Sequence, residues 1–391
     1  MIYFDNSATT KPCDAAIAAA ENAMRTVWGN PSSAHAAGGE ARRLLEKCSR
    51  SVASSMGIRR PGMGRLIFLS SGTEANNLAI NGVVNAKARP EKNGRRGTVV
   101  ITSGEHASVE STAENLEKNG FNVLRIPTVG GKLDLEWLKE NVTKDVIVAS
   151  VMLVNNETGA VYDVKGASDI IKAASPAAVI HSDCVQAYMK IPIAPSLIGA
   201  DMISVSAHKI FSLKGSAALF LSENVIKARN ISPVIFGGGQ GEGLHGGTES
   251  VPAIAAFGAA AEEGMREFDA REKRIGEIAR YAEERLKETD GVRLNLPEKR
   301  IPSILSMTVA GIKSETMLNF LSAAGICVSK SSACSARSRN LSPALLSFGL
   351  SDADTDSTLR LSFSHLNTES EVDDFIKELT RGISSLARIK K

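Results

Sequence analysis

M-I-S-V-S-A-H-K-I-F-S-L-K-G-S-A-A-L, residues 202–219, places two apolar, β-rich runs (202–205 and the one starting at 217) on either side of a short polar crossing. An apolar run that breaks into Ser206, His208 and Lys209 reads as a strand whose end hands polar side chains to a cleft. Lys209 is the candidate reactive amine, with the Ser206 hydroxyl and the His208 imidazole beside it as hydrogen-bonding groups. Alone, a His-Lys pair is an ordinary solvated turn, so its meaning depends on what the rest of the chain sets next to it.

Working outward, short apolar runs at 66–69, 99–102, 123–126, 146–151 and 178–181 alternate with helical periods. This alternation predicts an α/β fold around a mostly parallel, buried sheet, whose ligands sit beyond the carboxyl ends of the strands. Polar residues collect just there. S-S-G-T-E-A-N-N-L (70–78) is a Gly-containing turn opening a helix, where unpaired N–H groups and the Thr73 hydroxyl make an anion site; a plain capping box with Thr73 as N-cap is the alternative. S-G-E-H-A-S puts His106 at a loop-to-helix junction, able to stack on a flat ring and move protons, or simply to cap. Asn155, Asn156 and Glu157 follow the run ending at Val154, as hydrogen-bonding amides or as a turn. H-S-D-C-V-Q-A then delivers Asp183 and, one turn on, Gln186. A carboxylate ending one strand and a lysine following the next is the pairing that pyridoxal 5'-phosphate (PLP) chemistry needs. The lysine forms a Schiff base, and the carboxylate keeps the pyridine nitrogen protonated so that the ring accepts electrons. A structural salt bridge is the other reading of Asp183.

The flanks supply the rest. Asp14 reads as the N-cap of a helix to 28, N-P-S-S-A-H-A-A-G (30–38) as a loop, and 39–56 as a second helix. Seven glycines between 237 and 247 make 236–250 a flexible loop, and Thr248 after a double glycine suits close approach to a phosphate. A single long charged helix over 252–289 leads to a second domain, with a strand at 304–309 and a helix near 314–324. The stretch V-S-K-S-S-A-C-S-A-R-S-R-N (328–340) is too poor in bulky apolar residues to pack as core and predicts a mobile loop. Cys334 sits in its middle, and nearby Lys330, Arg337 and Arg339 favour its thiolate. T-L-R-L-S-F-S (358–364) is a strand whose Arg360 must be paired, and a substrate carboxylate would pair it with two prongs.

Composition narrows the function. At 391 residues and 43% hydrophobic the chain fills two packed domains, and its +3 net charge, from 46 basic and 43 acidic residues without long single-sign blocks, gives no reason for nucleic-acid or membrane-surface partners. No apolar run is long enough to span a bilayer and the N-terminus lacks signal-peptide order, so a cytoplasmic protein with a small-molecule substrate is expected. Five scattered cysteines form neither a disulfide framework nor a metal-ligand pattern, which leaves reduced thiols and no metal site.

With these pieces in order, the chain resembles the cysteine desulfurases, a branch of the class V aminotransferase-like enzymes with the type I PLP fold. The resemblance runs through Y-F-D-N-S-A-T-T, N-P-S-S-A-H-A-A-G, S-S-G-T-E-A-N-N-L-A-I, E-H-A-S-V, V-N-N-E-T-G, D-C-V-Q-A, S-A-H-K-I, G-G-T-E, S-S-A-C-S and L-R-L-S-F, nearly end to end. The S-S-A-C-S loop is similar to that of the NifS-like group. The resemblance implies a large PLP-binding domain at 13–258 with a mostly parallel seven-stranded sheet, and a smaller α+β domain built from 1–12 and 259–391. It makes Lys209 the Schiff-base lysine, Asp183 the pyridinium partner, Gln186 the contact to the phenolic oxygen and His106 the ring-stacking acid/base. Thr73, Ser206 and His208 become the phosphate cradle, joined by Thr248 from the other subunit of a homodimer. Asn156 and Arg360 become the substrate carboxylate clamp, and Cys334 the sulfur acceptor. The implied reaction converts L-cysteine to L-alanine and carries the sulfur as a persulfide to an acceptor protein, whether for Fe–S clusters, tRNA thiolation or a dedicated cofactor. Selenocysteine lyase, another class V lyase or aminotransferase, and a non-enzymatic PLP-fold scaffold or sulfur carrier are the alternatives. Three departures stand out: His245-Gly246-Gly247-Thr248 for Arg-Ser-Gly-Thr, Ser212-Leu213-Lys214-Gly215 for Gly-Pro-Lys-Gly, and Lys330 for a glycine.

Overall fold

A computed structural model describes residues 1–58, 62–88, 96–330 and 341–387. Its centre is a seven-stranded sheet of β2 (Gly64–Leu69), β3 (Thr98–Thr102), β4 (Asn122–Ile126), β5 (Val146–Ser150), β6 (Val179–Asp183), β7 (Met202–Ser206) and β8 (Ala217–Ser222), ordered β2-β8-β7-β6-β5-β3-β4; a two-residue strand, β1 (Ile2–Tyr3), lies elsewhere. Only β8 runs antiparallel to its neighbours. β3, β5, β6 and β7 are buried along their whole length, as strands covered by helices on both faces must be. Separate apolar cores occupy the two faces, one around Val100, Ile180 and Phe257 and the other around Ile80, Ile101 and Leu219. Chain order along the sheet reverses between β3 and β5. The carboxyl ends of β2, β3, β5, β6 and β7 therefore open a crevice at one edge.

A second sheet, β12-β13-β10-β9, is antiparallel throughout and joins β9 (Val292–Leu294), β10 (Ile304–Val309), β12 (Ser329–Lys330) and β13 (Thr358–Ser362). It has its own core, in which Phe4 meets Phe363 and Phe375 edge-on at 5.3 and 5.9 Å. Phe4 arrives there because β1 pairs in parallel with β11 (Ile326–Cys327) and Ser362 N donates to the Phe4 carbonyl at 2.7 Å. The N-terminal segment thus belongs to the second sheet while the strands it leads into belong to the first.

Two expectations are corrected. The long helix over 252–289 is two, Val251–Arg266 and Phe268–Lys287, broken at Glu267. The first lies against helices Asp14–Thr26 and Ala36–Ser55, the second against Glu369–Ala387, so one straight rod would not serve both packings. The strand expected to reach Val154 ends at Ser150, and Val154 instead bridges Val161 across a turn.

Candidate active site

Thr73, His106, Asn156, Asp183, Gln186, Ser206, His208, Lys209 and Arg360 all line one cleft of about 190 Å³ at the carboxyl edge of the central sheet. Segments far apart in sequence meet there because β2, β3, β6 and β7 each end at that edge and β13 closes it from the second sheet.

Asp183 ends β6 and is buried. Its Oδ2 accepts from Asn76 Nδ2 at 2.7 Å and its Oδ1 from Val185 N at 2.9 Å. The same Asn76 amide nitrogen donates to Ser108 Oγ at 2.9 Å, and Ser108 Oγ lies 2.9 Å from His106 Nδ1. Ser108 N also donates to that ring nitrogen, at 3.1 Å. A backbone N–H can only donate, so Nδ1 is an acceptor and a neutral His106 carries its proton on Nε2. His106 is also the N-cap of helix Ala107–Lys118, so the capping reading and the site reading both hold.

Lys209 closes a single turn of tight helix after β7, and its Nζ donates to the carbonyls of Ser7 and, at 2.8 Å, Ala8. Beside it, burial first and then the charges of Lys209 and Lys214 push the His208 imidazole down to about 4, so it is neutral; its Nδ1 lies 3.2 Å from Thr9 Oγ1. Phe211, two residues on, has a φ of 66°, a left-handed value that strains a non-glycine residue. Its N–H donates to Thr10 Oγ1 at 2.7 Å, and its ring sits 4.8 Å from that of His365 and 5.4 Å from the Arg271 guanidinium. The turn after Lys209 is therefore fastened through Phe211 rather than through a Gly-Pro sequence.

At the opposite end, Ser71, not Thr73, caps helix Gly72–Lys87, and Thr73 lies in its first turn on the cleft wall. Glu74 would repel an anion there, but its Oε2 accepts from Ser70 N and Oγ and its Oε1 pairs with His245 Nδ1 at 2.9 Å. His245 thus ties the glycine-rich segment to this helix start. Thr248 itself is exposed and off the cleft wall of its own chain.

Arg360 is 2% exposed, and protein groups engage part of its guanidinium. Nη2 donates to Asp5 Oδ1 and Nη1 to the Asn156 carbonyl, both at 2.9 Å, while Nε has no partner among the described residues. Asn155, next to Asn156, spends its side chain on the turn, accepting from Glu157 N and Thr158 N. Two buried carboxyls flank the cleft: burial lifts Glu105 to about 8, and burial also raises Glu157, which accepts from Ser342 Oγ at 2.6 Å.

Cys334 lies outside the described residues. The residues on both sides of 331–340 fasten at the cleft: Ser329 lies opposite Arg360 and donates to Asp5 Oδ1 at 2.8 Å, while Ser342 holds Glu157 beside Asn156. Sequence reasoning missed Asp5, Asn76 and the Ser7 and Ala8 carbonyls. Asn76 was discoverable, three residues after Thr73 on the same helix face. The carbonyls have no side-chain signature.

The donor set fits PLP. Asn76 Oδ1 and Ser7 Oγ are buried without a hydrogen-bond partner among the described residues, and both residues line the cleft, as polar walls awaiting a polar ligand do. Helix-start amides, two hydroxyls and a neutral imidazole suit a phosphate, a carboxylate suits a pyridine nitrogen, and a lysine amine suits the carbonyl carbon.

Comparison with known proteins agrees. Residues 2–375 match the family model described as Aminotransferase class-V. The chain is 35% identical to "Cysteine desulfurase IscS 1" of Archaeoglobus fulgidus over 389 residues, covering 99% of this chain and 98% of the relative. It superposes on a solved "NIFS-LIKE PROTEIN" with a TM-score of 0.88 and 32% identity, covering 98% and 99% of the two chains. A structure titled "SspA in complex with cysteine" gives 0.80 and 25%, covering 94% and 100%.

Proposed function

The chain belongs to the class-V aminotransferase family, in its cysteine desulfurase branch, and from that premise we propose how its own residues carry the reaction. The protein is a PLP-dependent L-cysteine desulfurase: L-cysteine leaves as L-alanine, and its sulfur becomes the outer sulfur of a persulfide on Cys334 before passing to an acceptor protein. The observation that supports this most directly is the convergence of Lys209, Asp183, His106 and Arg360 on one cleft. Bound there, PLP supplies a carbonyl carbon for the substrate amine and a protonated ring that takes up the electron pair left when Cα loses its proton.

Asp183, steadied by Asn76 and Val185 N, holds the proton of the ring nitrogen. Gln186 Nε2 faces the phenolic oxygen. Thr73, Ser206, His208 and the first-turn amides of helix Gly72–Lys87 take the phosphate. Thr248, exposed on its own chain, reaches the phosphate of the other subunit in a homodimer. Lys209 holds the cofactor and, once displaced by substrate, takes the Cα proton at Nζ. Arg360 retains N–H groups beyond those given to Asp5 and Asn156, and with the Asn156 amide it grips the substrate carboxylate. With Lys209 Nζ already carrying the proton from Cα, His106 takes the Cys334 thiol proton, and the two return these protons as the carbon skeleton becomes alanine.

The division we propose is a cofactor-holding domain at 13–258 and a smaller one made of 1–12 and 259–391. Among the described residues no helix is long and apolar enough to cross a membrane, and the cysteines there are free, in keeping with a reducing, cytoplasmic setting.

Cys334→Ser tests the reading. The variant should keep the absorbance of bound PLP and stop sulfide and alanine release, because a hydroxyl has almost no anion at neutral pH. Mass spectrometry after a single turnover without reductant should place the added sulfur on the Cys334 peptide. The other thiols are poor candidates: burial raises those of Cys13 and Cys184 and lifts Cys48 to about 11. Sulfur on Cys184 or Cys327, or full activity in Cys334→Ser, would overturn the mechanism.

A further inference from the structure

Behind Lys209, on the side away from Asp183, a second and smaller cavity of about 30 Å³ separates the two sheets' elements. Lys190 and Lys209 both line it, as do Ser7 and His365, whose Oγ and Nδ1 are buried without partners among the described residues. Lys190 follows Met189, which has a left-handed φ of 58°, so its direction is set by a strained backbone. Its Nζ donates to Gln186 Oε1 at 2.9 Å, and Gln186 Nε2 donates to the Ser7 carbonyl at 2.9 Å. The same carbonyl accepts from Lys209 Nζ. The two amines are thus joined through one carboxamide and one carbonyl. The Ser7 carbonyl can only accept and Lys190 Nζ donates, so between them the Gln186 amide is held with its oxygen toward Lys190 and its nitrogen toward Ser7 and the cleft.

We propose that Lys190 is a positioning residue of the site: it orients Gln186 toward the cofactor and shares with Lys209 a cavity that accommodates one positive charge better than two. This rests on the desulfurase reading, because it assigns Gln186 and Lys209 to the cofactor. The charged and titratable groups around the pair are Arg360 on β13, Arg271 on helix Phe268–Lys287, His365 after β13, whose imidazole burial pushes down, and, on the cleft side of Lys209, Asp183 and His208; Arg271 is already paired with Glu263 and Glu267. Burial, with Lys209 and Arg360, brings the Lys190 amine down to about 7, in keeping with two like charges in competition.

The test is a pH titration of the loaded enzyme by its cofactor absorbance, from about pH 5.5 to about pH 10, in wild type, Lys190→Met and Lys190→Arg. Arginine keeps a permanent charge and methionine none, so the midpoints should fall in the order Met, wild type, Arg, with the extremes about one pH unit apart. Should the methionine variant fail to fold, Lys190→Gln, an uncharged donor, takes its place in that order. Coincident midpoints for the charged and uncharged variants would overturn the proposal, since a merely structural lysine moves stability and not this titration. Borohydride reduction of wild type, followed by peptide mass analysis, separates the two levels. An adduct on Lys209 with coincident midpoints sinks only the role of Lys190, whereas no adduct on Lys209 sinks the desulfurase reading beneath it.

Discussion

Asn76 stands between Asp183 and His106, one amide nitrogen serving Asp183 and Ser108, and through Ser108 the ring of His106. Asn76→Ala should therefore disturb both at once. We expect a loss of turnover of about 10- to 100-fold, the usual scale for a group that orients first contacts, with the cofactor retained. Undiminished kcat would show that Asp183 and His106 hold their positions independently. Arg360 behaves differently, because Asp5 and the Asn156 carbonyl already engage it. Arg360→Lys should raise KM for cysteine, since a point charge replaces a planar fork, and should also cost about 2–4 kcal/mol in unfolding by leaving the buried pair half-made. An unchanged KM would move the carboxylate clamp elsewhere. These residues show how much of the site was legible. Asp183, His106 and Lys209 announce themselves as reactive types at or just beyond the end of an apolar run, and Arg360 as a charge inside one. Asp5 reads as one polar residue in a turn, and nothing local reveals that its partner lies beyond residue 350.

Among the elements, the short helix Pro343–Phe348 carries more than its length suggests. Ser342 caps it, accepting from Leu345 N, and also donates to Glu157; Ser347 meets Thr128 N and Oγ1 at 3.1 and 2.8 Å. The chain that leaves the Cys334 stretch is thereby bolted at two points, to Glu157 beside the cleft residue Asn156 and to Thr128 after β4. Ser342→Ala should lower stability by about 1 kcal/mol through the lost cap, yet reduce sulfur transfer more than cofactor binding. Equal losses in absorbance and in persulfide formation would mean that the bolt serves only the fold. Element existence was readable from apolar periodicity throughout the central sheet, and β7 and β8 were placed to within a residue. Element ends were not. The break at Glu267 has no glycine or proline to mark it and follows from two helices packing on different neighbours, a tertiary cause that local sequence does not carry.

For the whole molecule, two buried groups set opposite limits on pH stability. His181 is held between Ser150 and Ser204 and its imidazole is pushed down to about 4 by burial, against 6.5 when free. Its contribution is complete above 6.5 and is lost as pH falls toward 4. Glu105 is pushed up to about 8 from 4.5, so its neutral form contributes fully below 4.5 and loses that contribution as pH rises toward 8. Urea unfolding across that range should show stability declining on both limbs. Glu105→Gln, which keeps the oxygen that accepts from Thr102 and Met152, should flatten the alkaline limb by about 1–3 kcal/mol and leave the acid limb alone. An alkaline limb as steep as that of wild type would assign the slope to other groups. The fold class was legible because alternating strands and helices admit few arrangements; the threading of the N-terminal segment was not, since its partners are the last strands of the chain. That threading bears on how the protein is made. The carbonyls that receive Lys209 belong to residues 7 and 8, and the backbone of residues 4–6 is held by Ser362. During synthesis residues 4–6 cannot take up their bonds to Ser362 until that residue has left the ribosome. The central sheet can form first, and the segment whose carbonyls receive Lys209 is fixed in place only after that.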